Sequence, residues 1–290
     1  MRRLVLAPLM AVGLLLLTVG TAAATSGHDH HHDGDSRHSI QIVAHDFSYR
    51  LSTDKVTAGL VRTSLHNRGT QPHQAQIAKF KPGKGVADFK AVLKSGKLNA
   101  VIGLFSGFYG GPNAILPGRS QTTFENLPPG HYLMLCFVPD PKTHMPHFAM
   151  GMYAPFDAVG PARSGRIDAR QTVAAVDLFR FNIPATLETH SVVRFENRST
   201  MDVHEFSIGK LHPGKTPADL VAWAKREAGP PPYDEMGGAG ALNPGGHEWF
   251  TLDLRPGRYV AFCLVPDEKT GLAHAATGMV KAFTVVRHDD

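Results

Sequence analysis

Cys136-Phe-Val-Pro-Asp-Pro-Lys-Thr-His-Met-Pro-His147-Phe-Ala-Met-Gly-Met152 returns later as Cys263-Leu-Val-Pro-Asp-Glu-Lys-Thr-Gly-Leu-Ala-His274-Ala-Ala-Thr-Gly-Met279. In both copies His follows Cys by 11 residues and Met follows His by 5. The copies lie 127 residues apart and contain the only two cysteines of the 290-residue chain. Each ends a run with the same punctuation: Leu127-Pro-Pro-Gly-His-Tyr-Leu-Met-Leu-Cys136 against Leu254-Arg-Pro-Gly-Arg-Tyr-Val-Ala-Phe-Cys263. Further upstream, Asn67-Arg-Gly-Thr-Gln-Pro-His73 parallels Asn197-Arg-Ser-Thr-Met-Asp-Val-His204. A period this long is a duplicated domain, not a solenoid unit.

The segments between these landmarks read as strands. Ser39–Ala44, Leu60–His66 and His131–Val138 are short, rich in β-branched and aromatic residues, and bounded by turn residues; Thr172–Leu178, Ser191–Glu196 and Arg258–Val265 are their partners. Pro-Gly pairs at 117–118, 129–130, 244–245 and 256–257 mark turns. Many short strands at regular spacing predict an all-β fold of two Greek-key β-sandwiches. One short helix interrupts each repeat: Thr216-Pro-Ala-Asp219 supplies a cap, a first-position Pro and a first-turn acid, and Val86–Lys94 is the weaker counterpart. The Gly-rich segments 106–118 and 229–246 are expected to be loops.

The flanks bound the rest. Arg2 and Arg3 precede an apolar run from Leu4 to Val19 and small residues ending at Ala24. Residues 1–24 are therefore expected to be a removed signal peptide, leaving no membrane span and a secreted or periplasmic location. Residues 25–38 carry His28, His30, His31, His32 and His38 without apolar periodicity and are expected to be a disordered tail. Domain 1 is expected over 39–159, a linker over 160–168 and domain 2 over 169–286. The formal charge of +5 is too mild, and its basic residues too scattered, to imply nucleic acid.

A thiolate, two imidazoles and a weak axial thioether form the ligand set of a type 1 copper site. Each repeat holds that set: His73, Cys136, His147 and Met152 in the first, His204, Cys263, His274 and Met279 in the second. A disulfide between the two cysteines is the plainer alternative, but it would join equivalent points of two separate domains. Repeat 1 adds His144, Met145 and Met150 where repeat 2 has Gly271, Leu272 and Thr277. Asn67 and Asn197 are expected to hydrogen-bond the Cys loops, with Glu248 on the surface and Trp249 in the core.

With these motifs in place, the chain resembles the cupredoxin (blue copper) family in a tandem, two-domain form. The resemblance rests on the upstream His after an Asn-containing turn, then Cys…His-x-x-x-Gly-Met closing each domain. It implies one type 1-like copper per domain and one-electron exchange with a redox partner protein or a copper donor or acceptor. The Cys-to-His loop is longer than in plastocyanin-like members and nearer to that of copper nitrite reductases. Multicopper oxidases and nitrite reductases carry His immediately before the type 1 Cys; here those positions are Leu135 and Phe262. Enzymatic activity is therefore not expected. The alternatives are copper storage or delivery without redox turnover, and a metal-free interaction module.

Overall fold

The structure is a computed structural model and describes residues 36–163, 165–226 and 229–287. The expected signal peptide and the histidines before His38 lie outside the described residues. Ser36–His38 form a single 3-10 turn leading into the first strand.

Repeat 1 comprises β1 (Ser39–His45), β2 (Ser48–Leu51), β3 (Lys55–Asn67), β4 (Gln76–Phe80), α1 (Val86–Ser95), β5 (Phe105–Phe108), β6 (Ser120–Leu127), β7 (Gly130–Leu135) and β8 (Tyr153–Arg163). Repeat 2 comprises β9 (Gln171–Val176), β10 (Arg180–Asn182), β11 (Thr186–Glu188), β12 (Ser191–Asn197), β13 (His204–Leu211), α2 (Pro217–Ala224), β14 (Tyr233–Leu242), β15 (His247–Leu252), β16 (Gly257–Phe262) and β17 (Val280–Val286). In repeat 1, β1, β3 and β6 form one layer and β8, β7, β4 and β5 the other. In repeat 2 the layers are β10-β9-β12-β15 and β11-β17-β16-β13-β14.

Alternation along the strands explains the layering. After exposed Ser120, β6 alternates buried and half-buried residues as far as Leu127, so one face packs more deeply than the other. β3 passes between the layers of repeat 1, pairing with β6 and β1 over its second half and with β8 at its start. The change falls at Gly59, where φ is +118° and a Cβ would sit 2.2 Å from the Arg163 carbonyl oxygen. Only glycine takes that corner without strain. The Tyr of each Leu-x-Pro-Gly-x-Tyr phrase ties the turn before its strand. Tyr132 Oη donates to the Pro128 carbonyl at 2.5 Å and Tyr259 Oη to the Arg255 carbonyl at 2.8 Å, as in a tyrosine corner.

The helices form where the caps predict. In α2, Thr216 Oγ1 accepts the Asp219 N–H while the Asp219 carboxylate accepts the Thr216 N–H at 2.8 Å, a reciprocal capping box. Leu220 and Ala224 are its buried positions. The Gly-rich segments depart from expectation in part, since 109–118, 229–232 and 243–246 lie outside strands. Residues 105–108 and 233–242 are strands, paired with β4 and β13 of their own repeats, and the two repeats meet along a seam between β14 and the segment that follows β5.

That seam has two-fold character. Equivalent residues lie 127 apart, and Pro112 bridges to its own counterpart Ala239, while Tyr109 bridges Leu242 and Ile115 bridges Met236 in mirror relation. In the second contact, β6 pairs with its counterpart β15 in antiparallel register, Thr123 opposite Phe250 and Glu125 opposite Glu248. The repeats thus contact as an isologous dimer does, within one chain. Gln76 stitches the seam: its Nε2 donates to the Gly110 and Ala241 carbonyls and its Oε1 accepts the Ala241 N–H. Glu248, expected on the surface, is fully buried; a strand edge that would face water in an isolated repeat is covered by β6. The segment after β8 is held against repeat 1 as well, with Asn126 exchanging two hydrogen bonds with Gly165.

Candidate metal centre

Three strand ends converge at one pole of each sandwich. His73 lies just ahead of β4, and His204 opens β13; Cys136 and Cys263 follow the last residues of β7 and β16. The loop then crosses back, and His147 and His274 open 3-10 turns that lead to Met152 and Met279. The return is fixed by the backbone: Phe148 N–H donates to the Cys136 carbonyl at 2.9 Å, Met152 N–H to His147, and Cys136 N–H to Met152. Repeat 2 repeats the first two of these bonds through Ala275 and Met279.

In repeat 1, His73 Nδ1 and His147 Nδ1 lie 3.2 Å apart, and Cys136 Sγ is 4.0 Å and 3.4 Å from them. In repeat 2, His204 Nδ1 and His274 Nδ1 are 3.0 Å apart, with Cys263 Sγ at 3.8 Å and 3.5 Å. All six residues are buried. The point equidistant from the three atoms is about 2.1 Å from each in repeat 1 and about 2.0 Å in repeat 2, within the usual span of metal–nitrogen and metal–sulfur bonds. Met152 and Met279 are fully buried in the same apolar clusters as Cys136 and Cys263. Both cysteines are free thiols, so the disulfide alternative is not formed. His144 is exposed, at φ +57°, and stands apart from the group that His147 completes.

The outer nitrogens of repeat 1 decide what the inner ones present. Hydrogen bonds from Thr70, from His73 and from the Gln71 N–H outweigh burial and hold the Asp46 carboxyl down to about 2. It is therefore a pure acceptor, so His73 Nε2, 3.0 Å from Asp46 Oδ1, carries the ring proton. The Gln71 amide donates to Asp140 Oδ2 at 3.0 Å, which turns Gln71 Oε1 toward His147 Nε2, also at 3.0 Å. The Gln71 amide and the Thr143 N–H keep Asp140 well below the ordinary carboxylate range. Both neutral imidazoles thus aim lone pairs at each other across 3.2 Å. The Cys136 thiol has one proton and cannot satisfy both. A cation between them resolves the conflict, and the donor set of one sulfur and two imidazole nitrogens suits copper.

Burial sets the remaining electrostatics. It pushes the Cys136 thiol up to about 12 against hydrogen bonds from Gln74, Val138 and Tyr49, and it pushes Cys263 well above the ordinary thiol range, with the help of the Glu205 charge. It lowers His147 to about 4, aided by the charge on His73, and His204 to about 4, aided by His274. The rings are therefore neutral, and ligation-ready, across the neutral range. Around repeat 2, Asp202 and Asp267 lie close to His274, their ligand atoms within 4.8 Å of one another.

The sequence reading missed Asp46, Gln71, Asp140 and Tyr49. It also misplaced the asparagines. Asn67 and Asn197 do not hold the Cys loops; each braces its His-bearing loop, donating to the Gln71 and Ile115 carbonyls and to the Asp202 and Leu242 carbonyls. Of the residues flanking the ligands, Leu135 and Phe262 are wholly buried apolar side chains.

No family model matches the chain, and no curated protein does. Among solved structures it is similar to dithionite-reduced auracyanin from Roseiflexus castenholzii, 27% identical over 41% of this chain and 99% of that one, with a TM-score of 0.29. It is similar to an azurin from Methylomonas sp. strain J, 17% identical over 42% of this chain and 98% of that one, TM-score 0.28. A copper-containing nitrite reductase from Thermus scotoductus SA-01 matches 86% of this chain and 61% of its own length at 11% identity, TM-score 0.24. The strand order and the doubled pole described above make the fold cupredoxin-like, in tandem. Among the described residues no helix is long and apolar enough to cross a membrane.

Proposed function

We propose that the protein is an exported one-electron carrier with one type 1-like copper in each repeat. The observation that supports this most is the facing pair of imidazole lone pairs beside a buried thiol in repeat 1, with the same three atoms gathered in repeat 2. Copper bound there would supply a Cu(II)/Cu(I) couple. The chain's own residues do the rest. His73, Cys136 and His147, and His204, Cys263 and His274, would hold the copper of each repeat, with the buried thioethers of Met152 and Met279 as the further donors. The sandwich walls exclude water, while Asp46 and Gln71 hold the repeat 1 rings in the ligating tautomer. Export rests on the basic and apolar character of residues 2–19.

The reading is of a carrier and not an enzyme, because Leu135 and Phe262 stand where a second centre would need a histidine. Its partner is a redox protein. Cyclic voltammetry of the copper-loaded chain should show reversible one-electron waves.

A second reading, copper delivery, is favoured by Met145 and Met150, which are 39% and 36% exposed beside the repeat 1 site next to exposed His144. Soft thioethers at a site mouth suit Cu(I) transfer. Irreversible waves together with rapid loss of Cu(I) to a competing chelator would favour delivery over electron transfer.

A further inference from the structure

The two sites gather the same three atoms, but what stands behind them differs. In repeat 1, Asp46 accepts the Thr70 N–H and hydroxyl at 2.8 Å and 2.7 Å and also takes His73 Nε2 at 3.0 Å. Its counterpart Asp177 accepts the Thr200 N–H and hydroxyl at 2.8 Å and 3.1 Å in the same way. Yet His204 Nε2 is buried with no hydrogen-bond partner. The turn is equivalent and the clamp is missing.

One position accounts for the difference. Residue 69 is glycine, and a Cβ there would lie 2.4 Å from Asp46 Oδ1 and 2.5 Å from His73 Nε2. Repeat 2 has Ser199 in its place, with the hydroxyl turned onto Asn197 Oδ1 at 2.8 Å. Repeat 2 also carries one more residue on each side of the contact, Leu178 after Asp177 and an additional residue between Thr200 and His204. The gap that admits the carboxylate in repeat 1 is filled and stretched in repeat 2.

A carboxylate that accepts the outer N–H of a ligating imidazole fixes the ring and raises the basicity of its inner nitrogen. An electron-richer donor favours the more highly charged metal. We propose that Asp46, admitted by Gly69, is a positioning residue specific to repeat 1 that pins His73 and lowers the reduction potential of that site, so that the two sites are not redox equivalents. The inference rests on the copper reading above. Tyr49, whose counterpart is Phe181, hydrogen-bonds the Gln74 carbonyl beside Cys136 and bears on the thiol in the opposite sense. The proposal therefore concerns what Asp46 contributes to its own site.

Two measurements test it on the full chain. In the metal-free protein, nitrogen-15 NMR should find His73 locked as the Nε2–H tautomer, and Asp46→Asn or Gly69→Ala should release it. In a Cys263→Ser background, either substitution should raise the potential of the remaining copper by ~59 mV, the one-electron equivalent of a ~10-fold loss in Cu(II) preference. Asp177→Asn in a Cys136→Ser background should move nothing. A His73 tautomer unchanged by Asp46→Asn overturns the proposal, as does an unmoved potential with the coloured site intact. A wild-type chain that takes up no copper overturns the copper reading instead, because the tautomer measurement needs no metal.

Discussion

His147 depends on a relay of side chains that its own sequence neighbourhood does not announce. Asp140 orients the Gln71 amide, and the amide oxygen selects the proton position on the ring. Gln71→Leu keeps the bulk and removes the relay, so copper affinity at repeat 1 should fall ~10-fold or more; competition titration of a Cys263→Ser chain, in which only repeat 1 binds, measures it. The histidines and cysteines that converge were legible because chemistry constrains their types and the duplication prints the spacing twice. Asp46 was not. It lies 27 residues from His73, in a tight turn after β1, where an Asp is ordinary turn chemistry. Glu248 was misread for a related reason: a charged residue in an alternating strand reads as solvent-facing unless a distant strand covers it.

At the scale of elements, strands and caps followed local rules and the seam did not. α2 sits where Thr216 and Pro217 place it, and Thr216→Ala should cost about 1 kcal/mol in denaturant unfolding. The glycine-rich segments look like loops because glycine is a poor strand former. Their strand portions, β5 and β14, are set by pairing with β4 and β13 of their own repeats, and the turn at Gly110 and Gly111 then brings the other repeat into contact. Gly110 holds φ +80°, and a Cβ on it would lie 2.4 Å from the Glu248 carboxyl carbon. Gly110→Ala should therefore destabilise by about 1–3 kcal/mol, from backbone strain alone, with the contact to Glu248 adding to it. A melting temperature equal to wild type would contradict this close approach. Local propensity cannot register such a contact, since its partner lies more than a hundred residues away.

For the whole molecule, the seam buries two carboxyls opposite each other. Glu125 is pushed up to about 8 by burial, against hydrogen bonds from Thr123 and Thr63. Glu248 is pushed well above the ordinary range, first by burial and then by the Glu125 charge, with the Gly111 N–H opposing. Unfolding returns both to the ordinary glutamate value of 4.5, so the unfolded chain sheds protons that the folded chain retains. Stability then falls as pH rises toward 8, each retained proton raising the unfolding constant ~10-fold per pH unit. The buried histidines act in the opposite direction, but only below their ordinary value of 6.5. The interval from 6.5 to 8 therefore belongs to the carboxyl pair together with Glu235, which burial and the Glu205 charge also push up to about 8. Denaturant unfolding of the metal-free chain across that interval should show wild type losing stability, and Glu125→Gln/Glu248→Gln losing less, with the remainder carried by Glu235. A wild-type profile that rises would contradict the burial of the pair.

The most direct test of the two-site account is the copper-to-protein ratio read together with the visible spectrum after Cu(II) loading. Wild type should hold two coppers per chain and show an intense thiolate-to-copper band. Cys136→Ser and Cys263→Ser should each keep one copper and part of the band, and the double variant neither. Colourless wild-type protein without bound copper, or a band that survives loss of both cysteines, would contradict it.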